Sequence, residues 1–407
     1  MNGVKMKRLL KISFDTLLIS VFPILSWIVL SVVVDKNLIN VFSLTFPLQF
    51  VSWMLSSIFA TGANINKEKD KNNNAVMSGM VIASIIGFFV FGFVILNIDK
   101  YINFMNMEIE VYKEFAIYSV VQIYLGLIFN CIIDKLYFEA KNTKANKYSI
   151  IYNLINFITL ILLTLIIKEK MTIVVITSII RLIGVLVVVF RNLDRFRFKC
   201  NVLKFIKYES FSVFRLFMLF VTFLIGFRVA FNFGEQYIIA LTFIGIISDT
   251  QWDIIISAIC SVAKIDIAKN EFNYKEHIKN AYKLCGIVII SLIAMALVLW
   301  QYYDVPVSFT LILIFFEIYN FIIYPIIGVN TSFLQLEYSA KVTTSNHGIS
   351  SIIRLALSTL ANTPYCTTLG QTISSTYEMI STSIIFRKKY KVAENGIVEK
   401  IKIGVEV

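Results

Sequence analysis

Long apolar runs separated by short polar segments set the pattern of this chain. The first clear run, Leu17 to Val34, reads LLISVFPILSWIVLSVVV and carries no charge. A helix needs about 20 mostly apolar residues to cross a bilayer. The pattern predicts twelve such helices, at 13–34, 38–60, 75–97, 115–133, 148–167, 172–190, 209–231, 237–262, 284–301, 306–328, 347–361 and 370–386. The last two rest on topology more than on hydropathy, because residues 343–383 are dense in Ser and Thr. A membrane β-barrel would show alternating segments of about ten residues, which continuous runs exclude.

Composition agrees. Of 407 residues, 57% are hydrophobic and 16% charged, against roughly 45–50% and about 25% in soluble domains. Mean hydropathy is +0.76. A soluble globule of this make-up would expose large apolar patches, which excludes most soluble enzymes and nucleic-acid-binding domains. The net charge of +12 is explained by basic loops facing anionic lipid, so nucleic acid is not expected as a partner. With the amino terminus placed inside, 29 Lys and Arg fall in inside segments and 5 in outside loops; Arg181, Arg215, Arg228 and Arg354 lie within spans. Cytoplasmic loops carry such an excess. The expectation is a multi-pass protein of a bacterial-type inner membrane with both termini cytoplasmic. The run after Lys7, Arg8 and Lys11 is too long for a signal-peptide core and lacks a small-residue cleavage site, so it reads as the first span. Cys131, Cys200, Cys260, Cys285 and Cys366 are scattered without a Cys-x-x-Cys pair, which argues against a disulfide framework or zinc site.

Short words recur at about half the chain length. Leu44-Thr45-Phe46 returns as Leu241-Thr242-Phe243, and a tryptophan follows each (Trp53, Trp252). Gly79-Met80-Val81-Ile82-Ala83-Ser84 returns as Gly286-Ile287-Val288-Ile289-Ile290-Ser291. Six spans per half is even, so both halves insert the same way up. That implies an all-α protein of two six-helix lobes, 1–200 and 201–407, related by a pseudo-two-fold axis along the membrane normal. A short basic tail follows Phe386 and is expected on the cytoplasmic leaflet.

On these features the chain resembles the multidrug and toxic compound extrusion (MATE) family, within the wider multidrug/oligosaccharidyl-lipid/polysaccharide exporter superfamily. The resemblance covers nearly the whole chain but is diffuse. Its best local match is Phe233-Gly234-Glu235-Gln236-Tyr237-Ile238-Ile239-Ala240, similar to the family's Gly-containing turn before the eighth helix. The polar Ala63-to-Asn74 segment sits where the family has its loop after span two. The resemblance implies twelve helices around a central cleft and cation-coupled export by alternating access. The first-helix acid common in the family is displaced here: Asp35 falls beside a turn and Asp15 near the opposite end, while Leu334-Gln335-Leu336 lacks the Leu-Arg-Gly motif.

Ionisable side chains inside a membrane are costly and mark ion or substrate paths. Those read as lying within spans are Asp249, Asp253, Glu317 and Glu378, all in the second half, with Arg215, Arg228 and Arg354. Asp249 and Asp253 share a helix face. Two adjacent carboxylates cannot both ionise cheaply in low dielectric, so the pair can hold H⁺ or Na⁺, and Trp252 beside Gln251 offers an aromatic face to an organic cation. Neutralisation of both acids by Arg215 or Arg228 is the structural alternative. Glu317, Tyr319 and Asn320 form a second candidate group in span ten, where the resemblance implies a coupling acid near a tyrosine. Glu378, Arg354, Gln49 and Trp53 are further candidates, and Pro47 and Pro325 can act as kinks.

No Walker-type loop, His-Glu-x-x-His or Gly-x-Ser-x-Gly occurs. An enzyme is therefore not expected, nor a cofactor beyond a coupling ion. The functional expectation is an H⁺- or Na⁺-coupled exporter of organic cations, drugs or a secondary metabolite, working as a monomer among membrane lipids. A flippase for a lipid-linked saccharide or peptide precursor, using the span arginines, is the second reading, and a membrane scaffold the third.

Overall fold

A computed structural model describes residues 22–70, 75–139, 141–167, 169–192, 202–268, 271–337, 340–393 and 396–400. Helix α1 runs Phe22–Val33. It is followed by α2 (Ile39–Ser56), which passes through a π-helical turn, Ser57–Thr61, into α3 (Gly62–Asp70). Next come α4 (Ala75–Leu96), α5 (Ile98–Phe104), α6 (Ile109–Phe138), α7 (Asn142–Ile166), α8 (Lys170–Arg191) and α9 (Val202–Phe231). Helix α10 (Glu235–Ala240) passes through a second π segment, Leu241–Ile247, into α11 (Ser248–Ala268). The remaining helices are α12 (Tyr274–Gln301), α13 (Val307–Glu337), α14 (Ala340–Leu360) and α15 (Cys366–Lys389). Strands β1 (Tyr390–Val392) and β2 (Val398–Lys400) pair antiparallel.

Among the described residues, eight helical stretches are long and apolar enough to cross a membrane. Their outward faces are apolar: Phe88, Phe89 and Phe93 on α4, Leu162 and Leu165 on α7, and Phe190 on α8 are exposed. Inward faces can be small or polar, which is the pattern of helices solvated by lipid. The chain is a multi-pass membrane protein.

Contacts divide the described residues into two compact units, 22–238 and 239–400. Helix α9 packs along α2 and α3 within the first unit, so this division falls one helix later than residue 200. The order of elements repeats. The two helical runs interrupted by a π segment start at residues 39 and 235 and end at 70 and 268, offsets of 196 and 198. Helices α6 and α13 start at 109 and 307, again 198 apart. The recurring Gly79 and Gly286 words do not share an environment. A Cβ on Gly286 would meet nothing within 4 Å, whereas one on Gly79 would press on the Phe59 carbonyl oxygen and stand 2.9 Å from the Ala63 Cβ.

In the first unit α4 turns its small residues inward. Ala75, Gly79, Ala83 and Gly87 recur every four residues and are all buried, so backbones approach closely. The polar segment after span two is helical to Asp70, not a loop. Its asparagines are used inside: Asn64 and Asn66 are buried, and Asn64 donates to the Ala60 carbonyl at 2.9 Å. Tyr101 on α5 donates to the Leu44 carbonyl at 2.6 Å, and burial pushes its hydroxyl pKa up.

In the second unit the chain after α15 forms the hairpin β1–β2 as far as residue 400. Ile267, Phe333, Leu334, Phe386 and Tyr390 form a buried cluster at the ends of α11, α13 and α15, and Val392 and Val398 of the hairpin pack on it. The Tyr274 amide donates to the Gly396 carbonyl at 3.0 Å, tying the hairpin to the start of α12. Asn273 caps that helix by accepting from the Glu276 amide at 3.0 Å. His277 lies on α12 rather than in a loop; it is buried, with Nε2 3.3 Å from Asp266 Oδ2.

The close approach at Gly79 is testable. Gly79→Leu should abolish a cooperative thermal transition in detergent, whereas Gly92→Leu, on the same helix with nothing within 4 Å of its added Cβ, should leave Tm within about a degree or two of the parent, as for a typical surface change.

Candidate functional site

The richest polar surface in the second unit is the seam between α13, α14 and α15. These helices pack extensively on one another. Helices α14 and α15 are not among the eight apolar candidates, and their sequences show why. On α14, His347, Ser350, Ser351, Arg354 and Ser358 recur at three- and four-residue steps. On α15, Thr367, Gln371, Ser374, Ser375, Glu378 and Thr382 do the same, and all are buried. Such spacing puts each set on one helix face. The opposite faces carry exposed Ile349, Ile352, Leu360, Ile373, Ile380 and Ile384. The hydroxyls also satisfy themselves locally: Ser351, Thr359, Thr376 and Thr382 donate to carbonyls four residues back at 2.7–3.0 Å.

Across the seam, polar groups join the helices at successive levels. Arg354 donates to Gln371 Oε1 at 2.7 Å, and Gln371 Nε2 donates to the Tyr324 hydroxyl at 2.7 Å, linking all three helices. Tyr319 and Thr376 share a hydrogen bond of 3.0 Å. His347 Nδ1 lies 2.5 Å from Glu378 Oε1. Nearer the hairpin, Asn330 donates to Ser383 Oγ at 3.1 Å and accepts from the Tyr274 hydroxyl at 3.0 Å. On α13, Glu317, Asn320 and Tyr324 lie on one face, three and four residues apart. Glu317 and Asn320 are each 0% exposed. The Asn320 amide finds no hydrogen-bond partner, for either its nitrogen or its oxygen, among the described residues. An unmet buried amide costs about 1–3 kcal/mol, so such a group calls for a reason.

The other sequence candidates are placed as follows. The side chains of Asp249, Gln251, Trp252 and Asp253 lie outside the described residues. Their backbone forms the first turns of α11, directly after the π segment, and α11 packs along α13. π-Helical insertions of this sort are frequent at functional sites. In the first unit, Gln49 is half-buried on α2. Trp53, 38% exposed, lies edge-on to Phe50 at 5.0 Å and Phe46 at 6.5 Å, within an aromatic group completed by Phe223 and Phe227 of α9. Arg215 is exposed on α9. Arg228 is exposed too, with its guanidinium 4.4 Å from the Phe104 ring centre. Asp35 stands at the turn after α1, half-buried, and Asp15 lies outside the described residues.

Several groups were missed. Tyr324 and Gln371 carry the three-helix link; the i, i+4 stripe in the Ser/Thr-rich region was a signal for Gln371, and Tyr324 on α13 had none. Asp134 and Glu209 were not counted among the span acids, yet they receive hydrogen bonds from Ser56 at 3.1 Å and Ser57 at 2.9 Å, beside the first π turn. Arg181 donates to the Tyr152 hydroxyl at 3.0 Å and lies 5.2 Å from its ring centre. At the quoted turn, Gly234 has φ +124, a conformation L side chains rarely adopt, and Glu235 accepts from the Tyr112 hydroxyl at 2.7 Å. Among the described residues no three His, Cys, Asp or Glu gather as a metal site.

The sequence matches no family profile and no curated protein. Solved structures are similar throughout its length. An inward-facing multidrug resistance MATE family transporter of the MOP superfamily matches with TM-score 0.71 and 13% identity, over 94% of this chain and 97% of that one. An outward-facing multidrug resistance MATE family transporter of the same superfamily matches with TM-score 0.66 and 12% identity, over 94% and 95%. A MOP superfamily transporter from Pyrococcus furiosus, described as having a binding pocket of reversed polarity that suggests a different function, matches with TM-score 0.68 and 12% identity, over 94% and 96%. The chain has the fold of these proteins.

The three-helix link should matter to stability. Gln371→Leu removes both partners of the Arg354–Gln371–Tyr324 chain and should cost about 1–3 kcal/mol, read as a Tm several degrees lower in detergent. Gln371→Glu, which keeps an acceptor for Arg354, should recover most of that loss.

Proposed function

We propose that this protein is a cation-coupled secondary exporter that works by alternating access, with its coupling chemistry in the second bundle. The observation that carries the reading is Glu317 with Asn320, wholly buried on α13 in a fold that solved transporters adopt in both inward- and outward-facing forms. A carboxyl group in low dielectric is stable only with H⁺ or another cation bound to balance its charge, and becomes a free carboxylate only where water reaches it. It can therefore take up H⁺ or Na⁺ when water enters and release it when water enters from the other side. In this reading the amide of Asn320 and the hydroxyl of Tyr319 supply further oxygen ligands or hydrogen bonds. Asp249 and Asp253, on the helix packed along α13, complete the ion site, and Trp252 and Trp53 offer aromatic faces to an organic cation. The functional halves are the lobes 1–200 and 201–407, rocking as bodies in a bacterial-type inner membrane with both termini cytoplasmic, in a monomer.

A second reading is favoured by the arginines. Arg354 donates to Gln371 and Arg181 to Tyr152. Guanidinium groups that keep their charge suit the phosphate of a lipid-linked precursor, as in a flippase.

Proteoliposomes loaded with ethidium and given an inward H⁺ or Na⁺ gradient separate the readings. Under the exporter reading the gradient drives efflux. Glu317→Gln lowers the driven rate on the order of 5–150-fold, the usual size of a coupling energy, and Asp249→Asn with Asp253→Asn abolishes ion dependence. Efflux indifferent to the gradient, with lipid-linked pyrophosphate flipping that is lost in Arg354→Gln, would replace this reading with the flippase.

A further inference from the structure

Away from the α13 seam, the first unit holds a pocket of about 320 Å³ where the ends of α3, α6, α7 and α8 meet. Among the described residues its walls carry Lys67, Lys135, Lys141, Lys144 and Arg191 with one carboxylate, Glu139. The cations are organised by two acceptors. Glu139 takes Lys141 at 2.7 Å and lies 3.7 Å and 3.9 Å from the ammonium groups of Lys67 and Lys135. Asn192 takes Lys135 at its backbone carbonyl (2.9 Å) and Lys144 at its side-chain oxygen (2.7 Å), while its own amide donates to the Val188 carbonyl at 2.7 Å.

A merely solvated basic face does not look like this. Surface lysines extend their heads into water, but the Lys135 side chain is 4% exposed, and burying an ammonium is costly. Capping at the end of α8 by a basic side chain on a terminal carbonyl accounts for Lys135, which donates to the Asn192 carbonyl, and Lys144 reaches the Asn192 side chain instead. Capping does not account for Lys67, Lys141 and Arg191 converging on the same space. The described lining residues carry five cationic side chains and one carboxylate, a basic surface that suits an anion of several acceptor oxygens. Its volume is at the small end of the roughly 300–1,000 Å³ of ligand pockets. Phe138 and Phe190 lie beside it in sequence and are exposed, an apolar flank suited to acyl chains. The charge bias of the loops assigns this face to the cytoplasm, where basic pockets between helices take anionic headgroups.

We propose that this pocket binds a phosphate-bearing anion, either the phosphodiester head of an anionic phospholipid or a free phosphate. Lys67, Lys144 and Arg191 contact the oxygens, and Glu139 and Asn192 position the lysines. The site is independent of the transport chemistry proposed above.

The test uses the full chain purified in detergent, with ligand binding read by native mass spectrometry and by the shift in Tm. Probes are short-chain phosphatidylglycerol, short-chain phosphatidylcholine and inorganic phosphate. Each cation removed should weaken phosphatidylglycerol about fivefold, roughly the value of one basic residue at an anionic surface. The variant with Lys67→Gln, Lys144→Gln and Arg191→Gln should therefore bind it on the order of a hundredfold more weakly. A control with Lys275→Gln, Lys279→Gln and Lys283→Gln, three α12 lysines outside this pocket, removes the same charge and should bind as the parent does. If the triple pocket variant does not fold, Lys144→Gln and Arg191→Gln singly should each give the fivefold step. Displacement of phosphatidylglycerol by inorganic phosphate identifies a free-phosphate site, and its retention identifies a lipid site; both support the proposal. Equal weakening in pocket and control variants, no weakening in either, or equally strong binding of phosphatidylcholine would overturn it.

Discussion

Hydrocarbon offers a polar side chain no hydrogen-bond partner, so each polar group drawn into the bilayer must find one within the chain. That constraint organises the second unit. Helices α14 and α15 carry too many hydroxyls to face lipid all round. They turn these inward, repay part of the cost through their own carbonyls, and leave isoleucines outside. The seam that results holds α13, α14 and α15 together through Arg354, Gln371 and Tyr324. Single atoms of Thr331, Asn346 and Thr372 stay without a hydrogen-bond partner among the described residues, and the Asn320 amide has one for neither of its atoms, with no exposure. Fully satisfied networks rigidify a core, whereas a buried amide with both atoms unmet calls for an explanation. The coupling site we propose is placed there for that reason.

Much of the fold was legible because lipid-facing helices announce themselves by continuous apolar runs. Spans such as 75–97 and 172–190 coincide with α4 and α8 to within a few residues. The orientation expected from Lys and Arg also gathers Lys67, Lys135, Lys144 and Arg191 on one side, and they do line a single pocket. What hydropathy could not see was polarity hidden inside. Gly62–Asp70 reads as a loop because its mean character is polar, yet it continues α2 as helix α3 because its asparagines are buried. Asp134 and Glu209 sit at the ends of runs, where a sliding window sees only interface; their burial against Ser56 and Ser57 depends on helices far apart in sequence. The hairpin after α15 escaped notice because its strands are three residues long and its support comes from Phe333, Phe386 and Tyr390.

The repeat is clearer in structure than in letters. Word matches between Gly79 and Gly286 mislead, since only the first glycine is pressed by a neighbour. The order of elements recurs near an offset of 198 residues, although the π segments of the two corresponding helical runs, Ser57–Thr61 and Leu241–Ile247, sit at different depths in them. Chance repetition of apolar words is easy in such a composition; repetition of an order of helices at a near-constant offset is not. Sequence evidence for the candidate site was uneven for a related reason. Glu317 and Glu378 stood out as charges in apolar runs, whereas Tyr324 and Gln371 are ordinary letters whose role depends on the helices they join.

The central claim is that the buried seam on α13 meets water from each side of the membrane in turn. Asn320→Cys in a background with the native cysteines replaced by serine or alanine, labelled by a membrane-impermeant maleimide in vesicles of known orientation, measures this directly. The expected result is modification from both sides, favoured from opposite sides when the ion gradient is reversed. Labelling from neither side under any gradient, with the protein folded, would contradict the account.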